Sequence, residues 1–141
     1  MLSLILSACC LVASTVAVHA IGLTVMLKVL LRTRSLPPAR FWPITWYLIQ
    51  VAWWLILFHL VEIAIWGFYC HWQGCLPDLE SAFYFAGVTY TTTGYGDLVL
   101  PQAWRLLGPV EALTGILMCG LSTGLFFGVV SRLLGYRVKA E

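Results

Sequence analysis

Charged residues are scarce in this 141-residue chain: eight Lys and Arg and six Asp and Glu make up 10% of it, against about a quarter in a soluble domain. A water-soluble fold is thereby excluded, because the 61% of hydrophobic residues exceeds what the core of one small domain can hide, and lipid must solvate the remainder. The net charge of +2 lacks the basic surplus that a nucleic-acid partner demands, and neither end carries an acidic or basic tail. No stretch of helical length places Arg or Lys at every third position, so a voltage sensor of the usual kind is absent. No tetrahedral Cys and His set occurs at metal-binding spacing, and no internal repeat is present.

Three apolar stretches are long enough to span a bilayer as helices, which takes about 20 residues each. They run from Leu2 to Leu31, from Ile44 to Tyr69 and from Trp104 to Leu134. The interval from Leu76 to Pro101 is semi-apolar and interrupted by Pro77, Gly87, Gly94 and Gly96. Broken backbone at membrane depth is tolerated only where protein covers it or where it lines a water-filled cavity, which points to a pore or a transport site. Leu6-Ser7-Ala8-Cys9 and Val18-His19-Ala20 look loosely like processing sites, but no Lys or Arg precedes the apolar run and the run continues past both. A retained first helix is expected.

Seven of the eight cations flank the first connection (Lys28, Arg32, Arg34, Arg40) or follow the third helix (Arg132, Arg137, Lys139). The positive-inside rule then places those segments in the cytoplasm and the N-terminus outside, in a cell membrane. Asp78, Glu80 and Asp97 fall on the outer side, where negative charge concentrates cations.

The sequence Thr91-Thr92-Thr93-Gly94-Tyr95-Gly96-Asp97 closely resembles the selectivity filter of the potassium channel family, T-x-G-Y-G-D, and it lies between two hydrophobic stretches as in that family. The residue types suit the task. Consecutive main-chain carbonyls replace the hydration shell of a potassium ion, and aiming them at one axis needs backbone angles that glycine, at Gly94 and Gly96, adopts without penalty. Thr92 can add its hydroxyl below the carbonyl sites. The potassium sites are thus assigned to Thr92, Thr93, Gly94 and Tyr95, with Gly96 completing the filter. The resemblance implies that Tyr95 points back against aromatic side chains of the pore helix, here Phe83, Tyr84 and Phe85. One chain carries one copy of a motif that is needed four times, so a homotetramer is implied.

The expected fold is an all-α membrane protein, with three transmembrane helices, a re-entrant pore helix and an extended filter, assembled with four-fold symmetry. Residues 1–43 form an additional helix and a basic connection. The pore module, 44–134, divides into an outer helix (44–69), an outer loop (70–78), a pore helix (79–91), the filter (92–96) and an inner helix (104–134). Residues 135–141 form a short cytoplasmic tail, and with nine residues after Arg132 no cytoplasmic ligand-binding domain is expected. Asp78 is placed to cap the pore helix, Glu80 favours its first turn, and its C-terminal end directs partial negative charge at the pore.

Two positions depart from the family pattern. Thr93 stands where Val or Ile is usual, and Val88 stands where some relatives carry a carboxylate that bonds the filter aspartate, so Asp97 needs another partner. Glu111, in the outer half of the inner helix, either bonds behind the filter to Thr89 or a neighbouring subunit, or is a satisfied structural carboxyl. His59 and Glu62 share a helical face and read as a buried hydrogen bond in preference to a metal site; His19 gives a weaker signal. Glycines at 115, 120, 124 and 128 permit close helix packing, and Gly115 or Gly120 falls near the family's gating hinge; Ser122 and Thr123 can line the cavity. Cys70 and Cys75 flank a short loop on the oxidising side, compatible with a disulfide within the loop or between subunits. Cys9, Cys10 and Cys119 read as inert.

The expected function is potassium-selective passive conduction without a catalytic residue or cofactor, potassium being the permeant ligand. Gating is left to the filter, the inner-helix crossing, lipid, protons or an unseen regulatory partner, and the segment from Arg32 to Arg40, with Pro37-Pro38, can contact anionic lipid. Three alternatives remain: a weakly selective cation pore, motivated by Thr93; a membrane thiol oxidoreductase using Cys70 and Cys75; and a non-conducting subunit that modulates another channel.

Overall fold

The computed structural model describes residues 2–32 and 41–140, with side chains described for 2–30 and 41–133. The lipid contact expected of Arg34, Pro37, Pro38 and Arg40 and the charges of Arg137 and Lys139 lie outside the described residues. Four helices follow in order: α1 (Leu2–Arg32), α2 (Phe41–Trp72), α3 (Leu79–Tyr90) and α4 (Leu107–Ala140). α1, α2 and α4 are each long and apolar enough to cross a membrane, and the chain is an all-helical, multi-pass membrane protein. Exposed Trp42 and Trp46 near one end of α2 and Trp72 at the other match the aromatic belts that anchor spans at the two interfaces.

The helix limits follow from local chemistry. α2 starts earlier than the apolar run, at Phe41, because Pro43 sits in the first turn, where its missing N–H breaks no helical bond. Its end is a Schellman motif: Gly74 takes a φ of 63°, its N–H donates to the His71 carbonyl at 3.0 Å, and the Cys75 N–H donates to the Cys70 carbonyl at 2.9 Å. Cys70 is therefore helical, not part of the expected loop. α3 opens on Asp78, whose Oδ1 accepts from the Ser81 N–H at 2.7 Å while Oδ2 accepts from the Ser81 hydroxyl at 2.8 Å. α4 begins at Leu107 and not at Trp104, because a turn comes first in which the Trp104 N–H donates to the Pro101 carbonyl at 2.8 Å. It continues to Ala140 through most of the expected tail, and at 1.5 Å per residue is about 50 Å long, well beyond a bilayer core.

Two apolar clusters hold the helices together. Trp66, Ala82, Phe85, Ala86, Tyr90, Leu107 and Met118 surround α3 and join it to α2 and α4, with Leu11 of α1. Met26, Leu30, Val51, Leu55, Val129 and Leu133 join the spanning helices toward the opposite end. There Arg132 Nη1 donates to the Leu30 carbonyl at 3.3 Å, satisfying an acceptor in the last turn of α1. Close approach uses glycine where it is needed: a Cβ on Gly22 would meet the Phe58 ring at 3.0 Å, and one on Gly67 would meet Phe83 at 3.1 Å.

Candidate functional site

α3 is too short to span, and its C-terminal end delivers the chain into the loop Thr91 to Asp97, every residue of which is exposed on the single chain. The loop's backbone alternates in handedness. Thr92, Gly94 and Gly96 have φ values of 59°, 52° and 78°, and among the described residues Thr92 is the one non-glycine with positive φ. Thr93 and Tyr95, between them, do not share it. Alternation of this kind allows successive carbonyls to face one side, where an extended strand points them to opposite sides. Donors are used differently from acceptors. The Thr92 N–H bonds to the Thr89 carbonyl at 2.9 Å and the Gly94 N–H to the Val88 carbonyl at 3.0 Å, whereas no carbonyl of residues 92–96 accepts a hydrogen bond from the described residues.

Side chains stiffen the loop from behind. The Thr91 hydroxyl donates to the Gly87 carbonyl at 2.7 Å and lies 2.9 Å from the Thr93 hydroxyl. The additional hydroxyl at Thr93 is thus engaged within the chain. Asp97 finds the partner that Val88 does not provide: the Tyr84 hydroxyl donates to Oδ2 at 2.8 Å, and the Leu98 N–H donates to Oδ1 at 3.0 Å. The hydrogen bond to Asp97 holds the Tyr84 phenol above its ordinary pKa, with lesser contributions from desolvation and from the Asp97 charge.

The expected bracing of Tyr95 by three aromatics is not found within the chain. Tyr84 is turned to Asp97; Phe83 packs edge-on against Phe68, ring centroids 4.9 Å apart; Phe85 is in the core beside Gly108. These three residues project from successive positions of a helix, about 100° apart, and cannot share one target. Tyr95 itself is 72% exposed. A cleft of about 270 Å³ behind the loop is lined by Phe85, Val88, Thr89, Gly94, Gly96 and Arg105, among others.

Glu111 makes neither of the contacts expected within the chain: it is wholly buried, and both carboxyl oxygens are without a hydrogen-bond partner among the described residues. Cys70 and Cys75 are free thiols in the single chain, not an intraloop disulfide. Both are buried, as the apolar contact between these two positions of a Schellman motif requires, and burial pushes the Cys75 thiol up. Thiols so placed lack the exposed thiolate of a redox site. Of the two glycines expected near a hinge, Gly115 is a packing contact, since a Cβ there would lie 2.0 Å from the Tyr90 carbonyl oxygen, whereas a Cβ on Gly120 meets nothing within 4 Å among the described residues.

His19 turns out to be central. Its Nδ1 lies 2.7 Å from Glu62 Oε1, the Tyr90 hydroxyl donates to Glu62 Oε2, and His59 Nδ1 lies 3.0 Å from the Tyr90 oxygen. His19 Nε2 is 3.4 Å from the Ser122 hydroxyl, and next to this group Trp66 Nε1 donates to Thr15 Oγ1 at 3.1 Å. The ligating atoms of His19, His59 and Glu62 lie within 4.8 Å of one another, and both oxygens of Glu62 and the facing nitrogen of each imidazole take part in hydrogen bonds of this group. Its signal in the sequence was that ionisable groups within spans must pair, and His19, His59 and Glu62 are two of the three histidines and one of the two carboxylates of the spanning helices.

These features define a helical membrane protein in which a short capped helix ends in an exposed loop of unpaired carbonyls. The family model described as an ion channel matches residues 46–132, more than half of the sequence, and the chain belongs to that ion channel family. No curated protein and no solved structure matches it.

Proposed function

We propose that the chain is the subunit of a potassium-selective channel in which four copies surround one axis and the carbonyls of Thr92 to Gly96 form the ion sites. The observation that carries this reading is the alternation of positive φ at Thr92, Gly94 and Gly96 combined with the amides of Thr92 and Gly94 tied back to α3 and carbonyls that accept no hydrogen bond from the described residues. An array of oxygens without protons to accept is what a dehydrating cation requires. α3 adds the negative end of its dipole behind the array. Tyr95, exposed on one chain, is covered by the neighbouring subunit in this arrangement. No catalytic residue or cofactor is needed, and potassium enters as the transported ligand. In this reading the protein sits in the cell membrane with the N-terminus and the Asp97 end of the loop outside and the end of α4 in the cytoplasm, an orientation that the cation distribution supports.

A second reading within channels, a weakly selective cation pore, was motivated by Thr93; the contact between its hydroxyl and Thr91 favours a stiffened loop over a loosened one. Reversal potentials of the purified protein in planar bilayers, with potassium on one side and sodium on the other, separate the two. A potential close to that of potassium supports the proposal, and a value near zero overturns strict selectivity. Gly94→Ala, which forces a side chain onto a positive φ, is expected to abolish rubidium uptake by vesicles while the assembled species is still recovered.

A further inference from the structure

Tyr90 is the residue from which the loop departs, and it is held at both its main chain and its side chain. Its carbonyl rests against Gly115 of α4, where no side chain fits. Its hydroxyl donates to Glu62 and lies 3.0 Å from His59 Nδ1. Glu62 in turn is held by His19 of α1 at 2.7 Å, and the three residues His19, Glu62 and Tyr90 are 0%, 0% and 1% exposed. A continuous polar connection therefore runs from α1, through α2, to the last residue before Thr91. We propose that α1 is a positioning element of the conducting loop: His19, acting through Glu62, fixes Tyr90 and so sets where the carbonyls of Thr92 to Gly96 stand. The proposal rests on reading that loop as the filter.

Anchoring α1 to the bundle would not need such a connection. Replacing a buried ionic cluster by apolar side chains of like volume is often neutral or stabilising, and α1 already packs on α2 through Gly22 and Phe58. What a polar chain adds is direction. A hydrogen bond weakens within a few tenths of an ångström and over tens of degrees, so it fixes the position of a phenol more narrowly than apolar contact does. In lipid no water is at hand to replace a lost partner. Loss of His19 leaves Glu62 with one hydrogen-bond partner fewer, and Tyr90, bonded to the same carboxyl group, is the residue next to the loop that responds.

The test compares His19→Leu, His19→Asn, Tyr90→Phe and the double variant His19→Leu/Tyr90→Phe in the full-length protein, reconstituted in bilayers. The readout is the potassium-to-sodium permeability ratio, a property of the open loop that does not vary with the number of channels assembled. His19→Leu and Tyr90→Phe are each expected to lower it about tenfold, the scale of one hydrogen bond to a charged group. His19→Asn, whose amide nitrogen can occupy the place of Nδ1, is expected to stay within about twofold of the parent, and the double variant to be no worse than either single one. An unchanged ratio in His19→Leu or in Tyr90→Phe, or losses that simply add in the double variant, overturns the proposal. If His19→Leu does not assemble, Tyr90→Phe, which removes a single oxygen, decides alone. Gly94→Ala is run alongside: normal flux there removes the filter reading and this proposal with it. A silent Gly94→Ala beside an unaffected Tyr90→Phe removes the proposal only.

Discussion

Thr92 illustrates what a single residue can signal. A β-branched residue with a φ of 59° is an outlier, and such strain persists where the surroundings over-determine it, commonly at functional positions. The sequence marked Gly94 and Gly96 for this conformation because glycine adopts it freely; it could not mark Thr92, whose side chain argues against it. Gly115 is the converse case. A stripe of glycines spaced by four serves packing or bending equally well, and only the neighbouring carbonyl of Tyr90 distinguishes the two. Gly115→Ala must displace either α4 or the base of α3, and overpacking of this kind costs about 1–3 kcal/mol. Gly120→Ala meets nothing within 4 Å and, as a glycine-to-alanine change inside a helix, is neutral or slightly stabilising in the protomer. Thermal unfolding of the two variants in detergent checks this: Gly115→Ala is expected to melt lower than the parent and Gly120→Ala to match or exceed it.

At the scale of elements, the spans were legible because lipid selects for length and apolarity, and the capped α3 was legible because Asp78 and Glu80 carry its start in local chemistry. The ends of α2 and α4 were not. Hydropathy reports where lipid stops, while helical hydrogen bonding continues until a turn residue intervenes, Gly74 in one case and the Pro101 turn before Leu107 in the other. Cys70 and Cys75 had the spacing of a small disulfide loop, but Gly74 between them was the signal of a helix stop whose flanking positions pack together. Gly74→Ala is accordingly expected to destabilise by about 1 kcal/mol through its positive φ alone, whereas thiol reagents should label the folded protein at neither cysteine of this pair; labelling of Cys75 in the native state would contradict the burial. Asp78 supplies a pH dependence. Its carboxylate accepts from the Ser81 N–H and hydroxyl, which hold its pKa below the ordinary value. The cap is therefore in full force above the carboxylate range of an unfolded chain and is lost as pH falls through the lowered folded value. Asp78→Asn, which still caps but does not titrate, is expected to flatten the acid limb of a melting-temperature profile relative to the parent.

For the whole molecule, the sequence marks the loop by its threonines and glycines but not what holds it, since the contacts of Tyr84 with Asp97 and of His19 with Glu62 span 13 and 43 residues and depend on how helices are rotated. A polar loop lies exposed between spanning helices, with Tyr95 uncovered, and lipid cannot satisfy either. Under the four-fold proposal these surfaces face one another, and the ion becomes part of the interface: each carbonyl array repels its neighbours unless a cation lies between them. An ion that binds the assembly and not the separated chains stabilises it by RT ln(1 + [K⁺]/Kd), about 2.7 kcal/mol at a concentration one hundred times the dissociation constant. Tetramers in detergent should therefore survive heating to a higher temperature in potassium chloride than in sodium chloride at equal ionic strength. Gly94→Ala should abolish that difference while sparing assembly in the cold. Equal melting of the parent in the two salts would mean that potassium is not held among the chains, and the carbonyl sites would have to be abandoned even if the oligomer itself proved four-fold.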